Sequence, residues 1–176
     1  MSGPPVPQRP QFPDEYGFTT VVDQPGARLP WETVHGWLAS ARSYWIATTR
    51  PDGRPHTVPV WGLWLDDAIL FSTGATTVTA RNLAVEPRAV IHLESGDHVA
   101  IAEGVVVPVA DRSILVRFAQ AYERKYDWAV DPDEPPGPIF TLAPRMVLAW
   151  NTDEKLNETG TRWVFPAPDH PRPAGS

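Results

Sequence analysis

The chain contains no cysteine. That removes disulfides, thiolate nucleophiles and thiolate-held metals in one step, and it suits a reducing compartment. No apolar run approaches the length that spans a bilayer. No basic segment followed by an apolar stretch marks the N-terminus, so a cytoplasmic protein with no membrane partner is expected. The formal net charge is -6 and no stripe of Lys and Arg stands out. Nucleic-acid binding, which rests on neutralised phosphates, is therefore not expected. Nucleotide loops of the G-x-G-x-x-G or Walker type are missing. No serine stands in a G-x-S-x-G elbow. No two of the five histidines stand four apart on a helix. His92 and His98 flank a hairpin turn with Glu94 and Asp97 nearby, but a polar hairpin facing water explains them more simply, and no metal is expected.

What is present is a chain of 176 residues with 42% apolar content, enough for one domain with a real core. The 21 prolines crowd the two ends and the stretch "DPDEPPGP" at Asp131 to Pro138. Residues 1–29 and 166–176 read as Pro-rich arms that build no ladder, and Asp131 to Pro138 as a surface loop. The domain proper is expected at 30–165.

Within it, Pro30 and Glu32 open a helix from Trp31 to about Ala41. "SYWIATTR" is a β-branched and aromatic strand, and "PDGR" turns the chain into "RPHTVPVWGLWL". That run alternates, with His56, Val58 and Val60 on one face and Thr57, Pro59 and Trp61 on the other. Its two prolines predict an edge or an interrupted ladder. Asp66-Asp67 turns back into "AILFST", completing a three-strand meander. Thr76 or Thr77 caps a helix that ends at Val85, before Pro87. "RAVIHLES" and "HVAIAEGVVVPV" form the next hairpin, with Gly104 as a candidate bulge. Asp111 caps a helix to Tyr126 with Ile114, Leu115, Phe118 and Tyr122 buried. "IFTLAPRMVLAW", with a break expected at Pro144, and "TRWVF" finish the fold. Six or seven antiparallel strands keep few exposed edges only by closing, so the fold is mainly β with short helices, a six- to seven-stranded antiparallel split barrel.

The stretch "GATTVTARNLAVEP", from Gly74 to Pro87, carries the main functional signal. A strand ending in Ser72 and Thr73 leads through hydroxyls to a helix start, which is a natural anion site. Ordinary strand-turn-helix chemistry asks for the same residues. Eight tryptophans suit a pocket for a planar ring, although most are expected in the core.

"RPHTVPVWGLWLDDAILFST", then "ARNLAVEPRAVIHLESGDHVAIAEG" and the late "RWVF", resemble the pyridoxamine 5'-phosphate oxidase-like split-barrel superfamily, and within it the actinobacterial flavin/deazaflavin oxidoreductases. The resemblance runs from about Trp31 to Phe165. It implies a homodimer with a cofactor groove between subunits and a small planar substrate. The implied cofactor is the deazaflavin F420, with FMN as the alternative. Its ring would rest beside His56, Thr57, Val58, Pro59 and Val60, with Tyr44 and Trp61 also near. Its phosphate would lie at Ser72, Thr73, Thr77, Thr79, Arg81 and Asn82. Trp163 would approach from the partner subunit.

The implied activity is hydride transfer from the reduced deazaflavin to a conjugated small molecule. The alternatives are an FMN-dependent enzyme and a non-catalytic carrier of a flavin, haem or pigment. One departure matters. Where cofactor-binding relatives commonly carry Lys and Arg ahead of "RNL", this chain has Thr79 and Thr77. Arg81 remains, and Arg50, Arg54 and Arg88 are the candidates to compensate. Charge-assisted contacts are about twice as strong as neutral ones.

Overall fold

A computed structural model describes residues 5–8, 10, 28–152 and 159–166. The Pro-rich ends lie outside these residues apart from a few positions. The order is β1 (Val6–Gln8), α1 (Trp31–Ser40), β2 (Ser43–Thr49), β3 (Pro55–Leu65), β4 (Ala68–Ser72), α2 (Val78–Val85), β5 (Arg88–His92), β6 (His98–Pro108), α3 (Arg112–Tyr126), β7 (Ile139–Asn151) and β8 (Thr161–Val164). All pairings are antiparallel in the order β1-β8-β7-β4-β3-β2-β5-β6, and β6 also pairs with β7. Six strands, β2 to β7, thus close into a barrel, and β8 and β1 extend from β7. No helix among the described residues is long and apolar enough to cross a membrane.

Two expectations are corrected. The N-terminal arm does build a ladder: Val6, Pro7 and Gln8 pair with Val164, Trp163 and Arg162. A three-residue edge strand tolerates a proline because one side of it needs no partner. Pro144 does not break its strand. β7 runs through it, and the register jumps from Glu103↔Met146 to Gly104↔Pro144. Arg145 is the extra residue, so the bulge lies in β7 and Gly104 is the residue facing it. A Cβ on Gly104 would come within 2.7 Å of Ala143 O, which explains the glycine.

The prolines of β3 act as expected. Pro55–Trp61 pair only with β2, and Gly62–Leu65 pair with β4. The strand changes partners at Gly62, where the backbone is crowded: a Cβ there would meet Leu70 O at 2.8 Å. Asp66 and Asp67 both have positive φ, 54° and 58°, as a two-residue type I′ hairpin turn requires. Arg117 of α3 holds Asp66 at 2.7 Å.

The barrel interior is filled by Tyr44, Ile46, Phe71, Ile91, Leu142 and Trp163, and α1 plugs it with Val34 and Leu38. Tyr44 Oη donates to Leu38 O at 2.6 Å, fixing the end of α1 to β2. A second cluster lies on the outer face, where Leu63, Leu70 and Ile139 meet Phe118 of α3. Asp111 caps α3 by accepting from Ser113 N at 2.7 Å. Phe118 and Ala119 are its buried residues, while Ile114, Leu115 and Tyr122 are half-buried against the strands.

Candidate functional site

Alternation along β3 divides the sequence-predicted ring residues into two sets. Thr57 and Pro59 are exposed on the outer face, followed by Trp61 at 42% exposure. His56 and Val58 are half-buried on the inner face, and Val60 is in the core. Tyr44 is also in the core, so of His56, Tyr44 and Trp61 only Trp61 stands on the outer face. Trp163 is 2% exposed and packs against Trp31 with centroids 5.6 Å apart, inside its own barrel.

The turn after β4 is built from local chemistry. Thr77 is the N-cap of α2, accepting from Ala80 N at 3.2 Å. Its hydroxyl also shares a hydrogen bond with Thr73 Oγ1 at 3.0 Å. Thr79 is 3% exposed and faces inward to His56 Nε2 at 3.4 Å. The other ring nitrogen, Nδ1, is 3.4 Å from Arg50. A guanidinium only donates, so Nδ1 accepts and Nε2 carries the proton toward Thr79. Asn82 is buried and donates to Thr48 Oγ1 at 2.9 Å, tying α2 to β2. Ser72 donates to Pro138 O at 3.3 Å. The structure therefore brings Ser72, Thr73, Thr77, Thr79, Asn82 and His56 into one neighbourhood, but it spends most of their polar atoms on the fold.

The compensating cations are mostly engaged. Arg54 pairs with Asp52 at 2.8 Å, Arg88 pairs with Glu86, and Arg50 faces His56. Arg88 holds the Glu86 carboxyl down at about 2. Arg81 is exposed on the first turn of α2 and forms no ion pair among the described residues.

Beside this turn lies a cavity of about 280 Å³ that no single stretch of sequence outlines. Ser72 and Thr73 form one wall, and Trp61, Phe118, Tyr122 and Trp128 the others. The signal was present in the exposed Trp128 and in Tyr122, but the helix pattern assigned Tyr122 to the core. A larger cavity of about 550 Å³ lies across β2, β5, β6 and β7; Arg88, Glu86, Arg145 and Glu103 are among its lining residues, and Arg88 pairs with Glu86. The histidine hairpin holds no metal set: His92 Nδ1 is 2.7 Å from Leu93 O and His98 stacks on Trp37. No group of three metal-ligating side chains occurs among the described residues.

The exposed row Thr57, Pro59 and Trp61, on an edge with no second strand partner, fits a planar ring. The turn offers the backbone N–H groups at the start of α2 and Arg81. A phosphate dianion would meet Arg81 as the turn's own cation, since Arg54 and Arg88 are in ion pairs and Arg50 faces His56.

A closed split barrel with a hydroxyl-rich strand-to-helix turn is the class this geometry defines. The family model for pyridoxamine 5'-phosphate oxidase matches residues 30–151, and the chain belongs to that family. Among solved structures it is similar to a conserved hypothetical protein from Mycobacterium tuberculosis, at 24% identity over 70% of this chain and 85% of that one, TM-score 0.62. It is similar to an F420 reductase at 22% identity over 64% and 94%, TM-score 0.52. It is also similar to a pyridoxamine 5'-phosphate oxidase-related, FMN binding protein from Nostoc punctiforme, at 20% identity over 77% and 90%, TM-score 0.51. At these identities the likeness shows the fold. No curated protein matches.

Proposed function

We propose that the chain is an oxidoreductase that uses the deazaflavin F420 and acts on a planar conjugated small molecule. The observation that carries the choice of cofactor is the engagement of Thr77 and Thr79 in capping and in the His56 contact, which leaves Arg81 as the turn's cation. FMN ends in a phosphomonoester dianion, whereas the deazaflavin's phosphate is a diester with one charge and a longer arm beyond it. Thr57 and Pro59 would contact the ring, and Arg81 with the α2 N-terminus would take the diester. When bound, the reduced deazaflavin supplies a hydride. The chain's own part is to orient the ring and exclude water.

The same reading includes a homodimer. Cross-strand rows on the outer face run Pro59, Trp45, His92, Ile101, Leu148 and Thr57, Ala47, Val90, Glu103, Met146. Seven of the ten are apolar, Thr57, His92 and Glu103 being the exceptions, and a mostly apolar face of this kind suits a partner subunit. A second copy would cover the ring row.

A second reading, a non-catalytic carrier, is favoured by one observation: His56 points inward, so the exposed row has no titratable side chain. Titration with F420 and with FMN, followed by fluorescence polarisation, tests both. Low-micromolar F420 binding with FMN at least tenfold weaker supports the first. Tighter FMN binding refutes it. A bound chromophore with no turnover under any reductant favours the carrier. Light scattering on the purified chain tests the dimer, and a monomer at micromolar concentration would remove the groove.

A further inference from the structure

We propose that the cavity between the end of β4, α3 and the loop before β7 binds an uncharged planar aromatic molecule of roughly two fused rings. As the substrate site it rests on the oxidoreductase reading; as a binding site it does not.

Size comes first. At about 280 Å³ the space is at the lower edge of ligand pockets, so it takes a small ring system and not a cofactor with its arm. Of the four aromatic walls, Trp61, Phe118 and Tyr122 are already fixed by neighbouring rings. Trp61 stacks on Tyr126 with centroids 4.8 Å apart and planes 4° apart. Tyr122 packs on Tyr126 at 4.6 Å and on Phe118 at 5.2 Å. Rings held this way need no ordering when a ligand stacks on them. The loop is pressed close: a Cβ on Gly137 would come within 2.7 Å of Thr73 O.

Charge selects next. None of the residues lining the cavity is charged. The loop around it carries the exposed acids Asp127, Asp131, Asp133 and Glu134; Arg112 pairs with Asp133 at 2.8 Å and also feels Asp131, and Arg42 lies over the Trp61 ring at 6.0 Å, so the acids outnumber the cations at the rim. An anion would lose its water and meet an acidic rim. Polar selection falls to the Tyr122 hydroxyl and the indole N–H groups of Trp61 and Trp128. The Ser72 hydroxyl is bonded to Pro138 O and that of Thr73 to Thr77. The Tyr122 hydroxyl has no hydrogen-bond partner among the described residues, and burial raises its pKa, so it stays a donor. A ring carbonyl is the group it would meet.

Coumarin, a neutral bicyclic lactone, and coumarin-3-carboxylate are the probes. The full chain is titrated without any cofactor, by intrinsic tryptophan fluorescence and by calorimetry. Coumarin is expected to bind with Kd on the order of 10–100 μM. The carboxylate should bind at least about tenfold more weakly. Y122F should raise the coumarin Kd by about three- to tenfold. W128A, at a residue 59% exposed, should raise it by about fivefold or more with the thermal midpoint unchanged. No saturable coumarin binding to 1 mM (about the weakest affinity worth counting) overturns the proposal. So does equal or tighter binding of the carboxylate, and so do two variants that bind like the parent. Coumarin binding without F420 binding would keep the cavity and sink the redox reading. F420 binding without coumarin binding would do the reverse.

Discussion

Replacing Tyr126 by Phe removes one oxygen at the point where β3 changes partners. That oxygen accepts from Gly62 N at 2.9 Å and lies 2.7 Å from both Gly62 O and Arg42 O. A hydroxyl has a single proton. Lys125 Nζ already donates to Gly62 O at 2.8 Å, so the proton is best spent on Arg42 O. In Y126F the Gly62 carbonyl keeps Lys125 and the exposed Arg42 carbonyl finds water. The buried Gly62 N–H is left alone. Stranding a buried donor costs about 1–3 kcal/mol, so about 2 kcal/mol is expected. For a chain of this size that lowers Tm by about 4–8 °C. The stack on Trp61 survives, because Phe keeps the ring. Urea and thermal unfolding would measure the loss, with an unchanged m-value as the check on mechanism. Y122F is the control, since its hydroxyl has no partner to lose, and it should cost under about 0.5 kcal/mol. Equal stability for Y126F and the parent, or equal losses in the two variants, would refute this account of the clamp.

R81A should weaken F420 binding by about ten- to a hundredfold, as loss of a charge-assisted contact does, and an unchanged Kd in calorimetry would take Arg81 out of the site. G137A should push the loop off Thr73 and weaken coumarin binding more than it lowers Tm; parent-like affinity would show that the loop yields freely. Stability should also depend on alkaline pH. Burial pushes Lys125 down to about 8 from 10.5, so between those values the unfolded chain holds the proton that the fold has lost, and stability rises with pH. Above pH 10 (about the free tyrosine pKa) the sign reverses, because burial pushes Tyr126 up to about 12 and Tyr44 higher still. Urea midpoints from pH 8 to 10 should therefore climb in the parent and stay level in K125M, while a parent curve that falls across that range would contradict the assignment.

Features set by neighbouring residues were legible from the sequence. A cap at Thr76 or Thr77, of which the structure uses Thr77, Pro87 as a stop, Asp66-Asp67 as a turn and the unpaired half of β3 at its prolines all follow from chemistry within a few positions. Features set by closure were not. Whether Tyr44 and Trp163 point toward a ligand or into the core depends on which face becomes the interior, and that is decided by strands far apart in the chain. Pro144 follows the same rule: a proline ends an isolated strand, but one in a strand held by β6 along its length is accommodated by an added residue instead. The cavity wall at Tyr122 and Trp128 joins a helix to a proline-rich loop, and neither segment alone suggests a pocket. The missing positive charge at the turn was visible as Thr77 and Thr79, but that their hydroxyls are already committed was not.

The extra residue in β7 has a consequence for inheritance of the fold. Even-numbered positions of β6, from Ala100 to Val106, face the interior throughout. In β7 the interior positions are Leu142 and Pro144 before Arg145, and Val147 and Ala149 after it. The parity flips once. Arg145 thus acts as a phase shift between a segment read against β4 and a segment read against β8. Deleting it would leave every later side chain on the wrong face, Val147 and Ala149 included. Two lineages of this barrel can drift far apart in β7's identities, but they cannot differ by one in its length without a second, compensating change nearby.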